Sequence, residues 1–191
     1  MAGARGGPLL TDDVLVNTVI VVAAQYLLYG LVLVVALVWL TRSRRDKVAF
    51  AAEVVLGLAL VGIGIWLASH LHSDPRPFVR DGTPSLFRHP VDDGFPSDHS
   101  AAGGLLAALV FRYKRLVGIG VAAGAAIVGW ARVAAHVHHA QDVVAGLTIG
   151  VVAGALGIWV ASLLLATARR RGLLLGHRAR TTADRARRAS L

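Results

Sequence analysis

The chain has 191 residues, of which 55% are hydrophobic and 16% are charged, and its formal net charge is +9. Soluble domains typically contain about 25% charged and about 45–50% apolar residues. The composition therefore excludes an ordinary soluble domain, and it excludes a disordered chain, which needs the opposite balance. Because the chain has no cysteine, disulfide frameworks, thiol catalysis and cysteine-based metal sites are excluded as well.

Apolar runs of about 18 or more residues are candidates to span a bilayer. In chain order, the sequence predicts membrane segments at residues 14–40, 48–71, 100–111, 116–135 and 143–168. The third segment is short and needs its polar flanks to reach across the membrane. The predicted fold class is all-α, a polytopic membrane helix bundle with about five transmembrane helices, in which residues 14–168 form one membrane domain.

The fifth segment carries three glycines at four-residue spacing, Gly146, Gly150 and Gly154. Such a strip permits close contact between two helices. The alternative, which we favour from the sequence, is ordinary packing of small residues inside the bundle.

The charged residues alternate between the two ends of the predicted helices. The connectors at residues 41–47 and 112–115 and the tail from residue 169 hold 15 basic and 2 acidic residues, whereas the opposite end holds 5 basic and 8 acidic residues. Basic residues collect on the cytoplasmic side of membrane proteins. The N-terminus, with residues 1–13 as an outer segment, is therefore predicted outside, and residues 169–191 form a basic cytoplasmic tail.

This separation explains the net charge without a nucleic-acid partner, and we expect none. The arginines of the tail are expected to contact anionic lipid headgroups. One acidic residue, Glu53, lies within the second segment. It is either a proton-relay group or a carboxylate that snorkels or is paired near the cytoplasmic edge, and we favour snorkelling or pairing.

Two polar stretches, residues 72–100 and 131–142, lie on the outer face of this topology. Ionisable residues at a membrane edge indicate a functional site. Arg76 and Arg132 offer planar guanidinium groups that suit phosphate oxygens. The predicted helix start at Ser97 offers free backbone N–H groups that attract an anion.

The same stretches contain the groups needed for phosphoryl transfer. His138 and Asp142 are four residues apart, so they share one helix face. The carboxylate can then accept a hydrogen bond from one imidazole nitrogen, and the other nitrogen is left as a nucleophile. His99 supplies a second imidazole from another helix, as a general acid for the leaving group.

These residues resemble the type 2 phosphatidic acid phosphatase superfamily, which also includes vanadium haloperoxidases. The resemblance covers residues 69–146 directly. It is carried by three blocks in the order of the family: Arg76-Pro77, then Pro96-Ser97-Asp98-His99, then Arg132, His138 and Asp142.

The resemblance implies a six-helix-like membrane bundle and hydrolysis through a phosphohistidine, without a metal or another cofactor. It implies that His138 is the nucleophile, that Asp142 orients it, and that His99 donates a proton to the leaving group. The phosphoryl group would be bound by residues of all three blocks: Arg76, Ser97, Asp98 and Arg132.

Three positions depart from the family pattern. Asp98 replaces a glycine, which resembles the bacitracin-resistance branch, whose members hydrolyse undecaprenyl diphosphate outside the cytoplasmic membrane. Ala131 replaces a serine. Ser69 replaces a lysine that would bind phosphate. Four cationic or titratable neighbours are candidates to compensate for it: His70, His72, Arg80 and Arg88.

The expected function is hydrolysis of undecaprenyl diphosphate to undecaprenyl phosphate at the outer face of a bacterial cell membrane. Phosphatidylglycerol phosphate and phosphatidic acid are alternative substrates, and a non-catalytic lipid-phosphate binder or carrier is an alternative of another class. The expected partners are the lipid phosphate and the bilayer, and the sequence leaves the oligomeric state open.

The remaining histidines of the outer stretches have less defined roles. A metal site of His136, His138 and His139 is an alternative, which we do not favour because positions 136 and 139 share one helix face and position 138 lies on another. His89, together with His136 and His139, is either a polar loop residue or a substrate contact, and the sequence leaves this open.

Overall fold

The computed structural model describes the backbone of residues 9–189 and the side chains of residues 12–172. The prediction of an all-α fold is confirmed, because these residues form six helices and no named strand. The helices are α1 (Leu9–Leu40), α2 (Arg44–Leu71), α3 (Pro77–Arg80), α4 (Asp98–Tyr113), α5 (Arg115–Ala134) and α6 (Ala140–Ala189). Most of the predicted outer segment, and the tail side chains after residue 172, lie outside the described residues.

Four of the described helices are long and apolar enough to cross a membrane, namely α1 from Asp12, α2, α5, and α6 as far as Gly172. The third predicted segment is α4, a helix of 16 residues. At 1.5 Å per residue it is about 24 Å long, which is less than the roughly 30 Å of bilayer hydrocarbon. The five predicted segments thus correspond to four long helices and one short helix.

The short helix α4 is the centre of the bundle. It packs extensively against α5 and α6, and less extensively against α1 and α2. Its inner face is apolar and buried, with Leu105, Leu109 and Val110 no more than 1% exposed. A central helix that is covered by other helices does not need to span the bilayer by itself. The polar residues that flank it are surrounded by protein and not by lipid.

Glycines set the separation between α4 and α6. A Cβ atom on Gly150 would collide with the carbonyl oxygen of Ala101, and one on Gly146 would collide with the carbonyl oxygen of Ser97. The backbones of the two helices are therefore in direct contact. The ordinary packing that we favoured from the sequence is wrong at these positions, because the glycine strip is a site of close helix contact.

The opposite end of α4 is held by a buried carboxylate. Glu53 of α2 is 1% exposed, and its two carboxylate oxygens lie 2.9 Å from Nε of Arg112 and 2.9 Å from the hydroxyl of Tyr113, which donates to it. These contacts tie α2 to the last turn of α4. They favour the paired carboxylate over the proton relay.

We predict that Gly150→Ala lowers the melting temperature of the chain in detergent micelles, whereas Gly120→Ala does not. The added methyl at position 150 meets backbone, and overpacking of this kind typically costs about 1–3 kcal/mol. Gly120 has no atom within 4 Å of its ideal Cβ position, so its replacement serves as the matched control. Equal melting temperatures for the two variants would contradict the close contact of α4 with α6.

Candidate active site

A cavity of about 270 Å³ lies at the end of the bundle where α2 and α5 end and α4 and α6 begin. Five of the seven residues predicted for the site line it: Arg76, Asp98, His99, Arg132 and His138. The other two, Ser97 and Asp142, are fully buried. They contact each other, since the backbone N–H of Ser97 donates to the carbonyl of Asp142 over 3.0 Å. The structure therefore brings the three sequence blocks together.

The imidazole of His138 lies between one carboxylate and two guanidinium groups. Its Nδ1 is 3.3 Å from Oδ2 of Asp142. Its Nε2 is 3.2 Å from Nη1 of Arg76 and 3.2 Å from Nη2 of Arg132. Because guanidinium nitrogens only donate hydrogen bonds, Nε2 is the acceptor, and the ring proton is on Nδ1, facing Asp142.

The protonation of His138 follows from its surroundings. Burial lowers the pKa of His138, and the guanidinium groups of Arg132 and Arg76 lower it further, although the hydrogen bond with Asp142 opposes them. A histidine with a lowered pKa stays neutral at pH 7. The Nε2 lone pair, which a nucleophile needs, is therefore present in the resting site.

The prediction that His138 and Asp142 share one helix face is wrong, because α6 begins only at Ala140 and His138 precedes it. The short junction between α5 and α6 positions this imidazole. His136 adopts a positive φ of 58°, a left-handed conformation that is uncommon for a residue other than glycine. It lets the chain reverse within a few residues, so that Val137 N–H donates to the carbonyl of Arg132 over 3.2 Å. Asp142, in the first turn of α6, also accepts the backbone N–H of His139 over 2.8 Å. The orienting carboxylate is thereby fixed.

The two arginines are held by protein groups as well. Nε of Arg76 donates to Asp92 over 2.6 Å, and its Nη1 donates to the carbonyl of Val137 over 2.9 Å. Nη2 of Arg132 donates to Nε2 of His89 over 2.9 Å. Both arginines are less than 10% exposed, and these contacts fix their orientation toward the cavity.

The N-terminus of α4 forms another wall of the cavity. Ser97 caps the helix, because its Oγ accepts the backbone N–H of Ser100 over 3.4 Å and the hydroxyl of Ser100 over 3.1 Å. The free N–H groups and the positive end of the helix dipole lie at this terminus. His99, two residues after Ser97, lines the same cavity as His138.

One buried acidic residue of the site was not predicted from the sequence. Asp74 is 4% exposed. Its Oδ2 accepts a hydrogen bond from Nε2 of Gln141 over 2.6 Å and lies 2.8 Å from Nδ1 of His139. Its Oδ1 is 3.3 Å from Nη1 of Arg80. No local pattern could have indicated it, because two of its three partners lie more than 60 positions away.

Three side chains near His138 could together bind a metal ion. Atoms of Asp74, His139 and Asp142 are within 4.8 Å of one another. Of the three histidines that were considered as ligands, only His139 belongs to this group. Donors from the protein already contact Oδ2 of each carboxylate, whereas Oδ1 of Asp142 is buried without a hydrogen-bond partner among the described residues. The absence of a metal from the reaction stays a prediction.

None of the four residues that were considered as substitutes for the missing lysine is among those that line the cavity. His70 points back to the carbonyl of Trp66, His72 packs its ring on Phe95, and Arg80 pairs with Asp74. The position of the lysine itself, Ser69, does line the cavity, and so does His89.

Comparison with known proteins shows the family of the chain. The chain matches the model of the PAP2 superfamily over residues 50–166, and it is 30% identical over 148 residues to the bacitracin transport permease protein BcrC of Bacillus licheniformis, which covers 77% of this chain and 72% of that protein. The chain belongs to the PAP2 superfamily. With these relatives and four helices long enough to cross a membrane, it is a multi-pass membrane protein and a lipid phosphatase, as the apolar segments and the three blocks predicted.

Two further comparisons extend the match. The chain is 26% identical over 144 residues to the undecaprenyl-diphosphatase BcrC of Bacillus subtilis (strain 168), with 73% of this chain and 72% of that protein covered. The crystal structure of Aquifex aeolicus LpxE superposes with a TM-score of 0.58 at 24% identity, covering 81% of this chain and 88% of that one. The similarity to LpxE shows that the two chains share a fold.

Proposed function

We propose that this PAP2 chain hydrolyses undecaprenyl diphosphate to undecaprenyl phosphate and inorganic phosphate, through a phosphohistidine on His138 and without a metal. The observation that carries the proposal is the convergence of Arg76 and Arg132 on Nε2 of His138, whose other nitrogen faces Asp142. The choice of substrate is supported by the two BcrC relatives, one of which is named an undecaprenyl-diphosphatase.

In the first step, Nε2 of His138 attacks the terminal phosphorus, and the bond from phosphorus to the bridging oxygen breaks. Burial and the nearby Arg132 lower the pKa of His99 to about 4 in the empty site, so His99 takes up a proton when the phosphate anion enters and donates it to the departing lipid phosphate. Arg76, Arg132 and the N–H groups that follow Ser97 stabilise the charge on the equatorial oxygens. The phosphorylated ring keeps its Nδ1 proton and becomes cationic, and Asp142 stabilises that charge.

In the second step, water attacks the phosphorus of the phosphohistidine. His99, now neutral, accepts a proton from this water, and the bond from phosphorus to Nε2 breaks. Inorganic phosphate leaves, and His138 returns to its neutral form with the proton on Nδ1. Both steps use the same anion-binding groups, because the phosphoryl group stays in one place while its partner changes.

The site is proposed to face the extracytoplasmic side. The cavity lies at the end of the bundle opposite the connectors that hold Arg42, Arg44, Arg45 and Lys114. Residues 14–168 would then form the phosphatase domain, preceded by an outer segment and followed by a basic cytoplasmic tail. The positive-inside rule supports this orientation.

For the substrate, we predict that purified chain releases phosphate fastest from undecaprenyl diphosphate. The matched comparison uses phosphatidylglycerol phosphate and phosphatidic acid in the same detergent micelles. We expect kcat/KM for the diphosphate to exceed the others by at least about tenfold, which corresponds to about 1.4 kcal/mol of transition-state binding. A preference for either phospholipid would move the substrate assignment to that lipid.

For the chemistry, we predict that EDTA leaves phosphate release unchanged and that His138→Gln reduces kcat by about 10⁴-fold or more, as the loss of a nucleophile does elsewhere. His70→Gln is the control, because His70 lies at the same end of the bundle and does not line the cavity. Loss of activity in EDTA would instead assign a metal to the group of Asp74, His139 and Asp142.

For the orientation, the absence of native cysteine permits single-cysteine labelling in intact bacterial cells. We predict that a membrane-impermeant maleimide labels Thr83→Cys directly and labels Arg45→Cys only after permeabilisation. Both positions are exposed in the structure, so access to the reagent depends on the side of the membrane. The reverse pattern would place the site in the cytoplasm.

A further inference from the structure

One titratable side chain of the cavity has no role in the proposed chemistry. His89 lies in the loop between α3 and α4, is half-buried and lines the cavity. Its Nε2 accepts a hydrogen bond from Nη2 of Arg132 over 2.9 Å, and its ring centroid is 6.4 Å from that of His138. The same Nη2 lies 3.2 Å from Nε2 of His138. Arg132 therefore directs its terminal nitrogen at both imidazoles.

The charged side chains that line the cavity do not balance the negative charge of a phosphate group. The lining contains two guanidinium groups, of Arg76 and Arg132, and three carboxyl groups, of Asp92, Asp93 and Asp98. With the neutral imidazoles of the empty site the lining has a net charge of −1, and a cationic His99 raises it only to 0, whereas the ligand is a phosphate group with a charge of about −1.5 to −2 at pH 7. One of the guanidinium groups is also partly neutralised, since Nε of Arg76 is 2.6 Å from Asp92.

Few of the other side chains that line the cavity could supply a further positive charge. Ser69 carries no charge, and its hydroxyl donates to the carbonyl of Trp66 over 2.9 Å. His138 must be neutral in order to attack, and His99 is assigned to the leaving group. Among the residues that line the cavity, His89 is the one titratable cation left without a task.

We propose that His89 is a phosphate-binding residue, which takes up a proton from solvent when the phosphate group enters the cavity and then donates a hydrogen bond from Nε2 to a phosphoryl oxygen. Arg132 turns its Nη2 from His89 to the same phosphate group. The proposal rests on the proposed function, because it assumes that the phosphate group binds between the two arginines.

The charged surroundings of His89 explain why the proton arrives with the ligand. In the empty site, burial lowers the pKa of His89, and Arg76 and Arg132 lower it further, while Asp92 opposes them. A phosphate anion reverses this balance, because it neutralises the guanidinium groups and attracts a positive imidazole. The charged and titratable groups that line the cavity together with His89 are Arg76 ahead of α3, Asp92 and Asp93 of its own loop, Asp98 and His99 of α4, Arg132 of α5, and His138 of the α5–α6 junction.

Binding of inorganic phosphate to the purified full-length chain in detergent tests the proposal without turnover. Titration calorimetry at pH 7, in buffers of different ionisation enthalpy, gives the affinity and the number of protons taken up for each phosphate bound. We expect His89→Gln to weaken phosphate binding by about tenfold, which corresponds to about 1.4 kcal/mol, and to reduce proton uptake by up to one. His89→Lys, which carries a permanent cation, should keep the affinity and show the same reduced uptake.

His70→Gln is the matched control and should behave as the wild-type chain does. Unchanged affinity and proton uptake in His89→Gln would overturn the proposal, and so would weaker binding with unchanged uptake, which would give His89 a structural role. Failure of the wild-type chain to bind inorganic phosphate would also overturn it. If binding follows the expected pattern but undecaprenyl diphosphate is not hydrolysed, the proposed function fails while His89 remains a phosphate ligand.

Discussion

Two buried guanidinium groups lie close to one imidazole nitrogen, and the surrounding protein groups offset part of the free-energy cost of burying them together. Arg76 and Arg132 have like charges, and each directs a terminal nitrogen to within 3.2 Å of Nε2 of His138. Burying charges is costly unless they are paired or hydrogen-bonded. Asp92 and the carbonyl of Val137 partly compensate Arg76. Both guanidinium groups line the cavity, where a phosphate group would neutralise their charge.

The scaffold serves to place groups from distant parts of the chain around that nitrogen. The glycines of α6 bring its backbone against α4, and this contact joins Ser97 to Asp142 at the floor of the site. At the far end, Glu53 fixes the last turn of α4 to α2. The short helix is thus held at both ends. A site that depends on distances of about 3 Å needs this kind of rigid support.

Much of the fold and of the site could be predicted from the sequence, because the information is local in both cases. Long apolar runs specify membrane helices, and the short separation of His138 and Asp142 in the chain keeps the two side chains within contact even though His138 precedes α6. The close contact of Gly150 was underestimated, because a strip of small residues does not reveal which backbone approaches it. Asp74 was missed since its partners are distant in the chain. His89 was left open because the loop of 17 residues between α3 and α4 has no periodicity that would indicate the direction of its side chains.

The central claim is that His138 carries the phosphoryl group during turnover. Rapid quenching of a single turnover, with undecaprenyl diphosphate labelled in its terminal phosphate, tests it directly. The account predicts an acid-labile, alkali-stable phosphate on His138, which forms before inorganic phosphate appears and is absent in His138→Gln. Label on another residue, or full release of inorganic phosphate with no phosphorylated protein at any time, would contradict it.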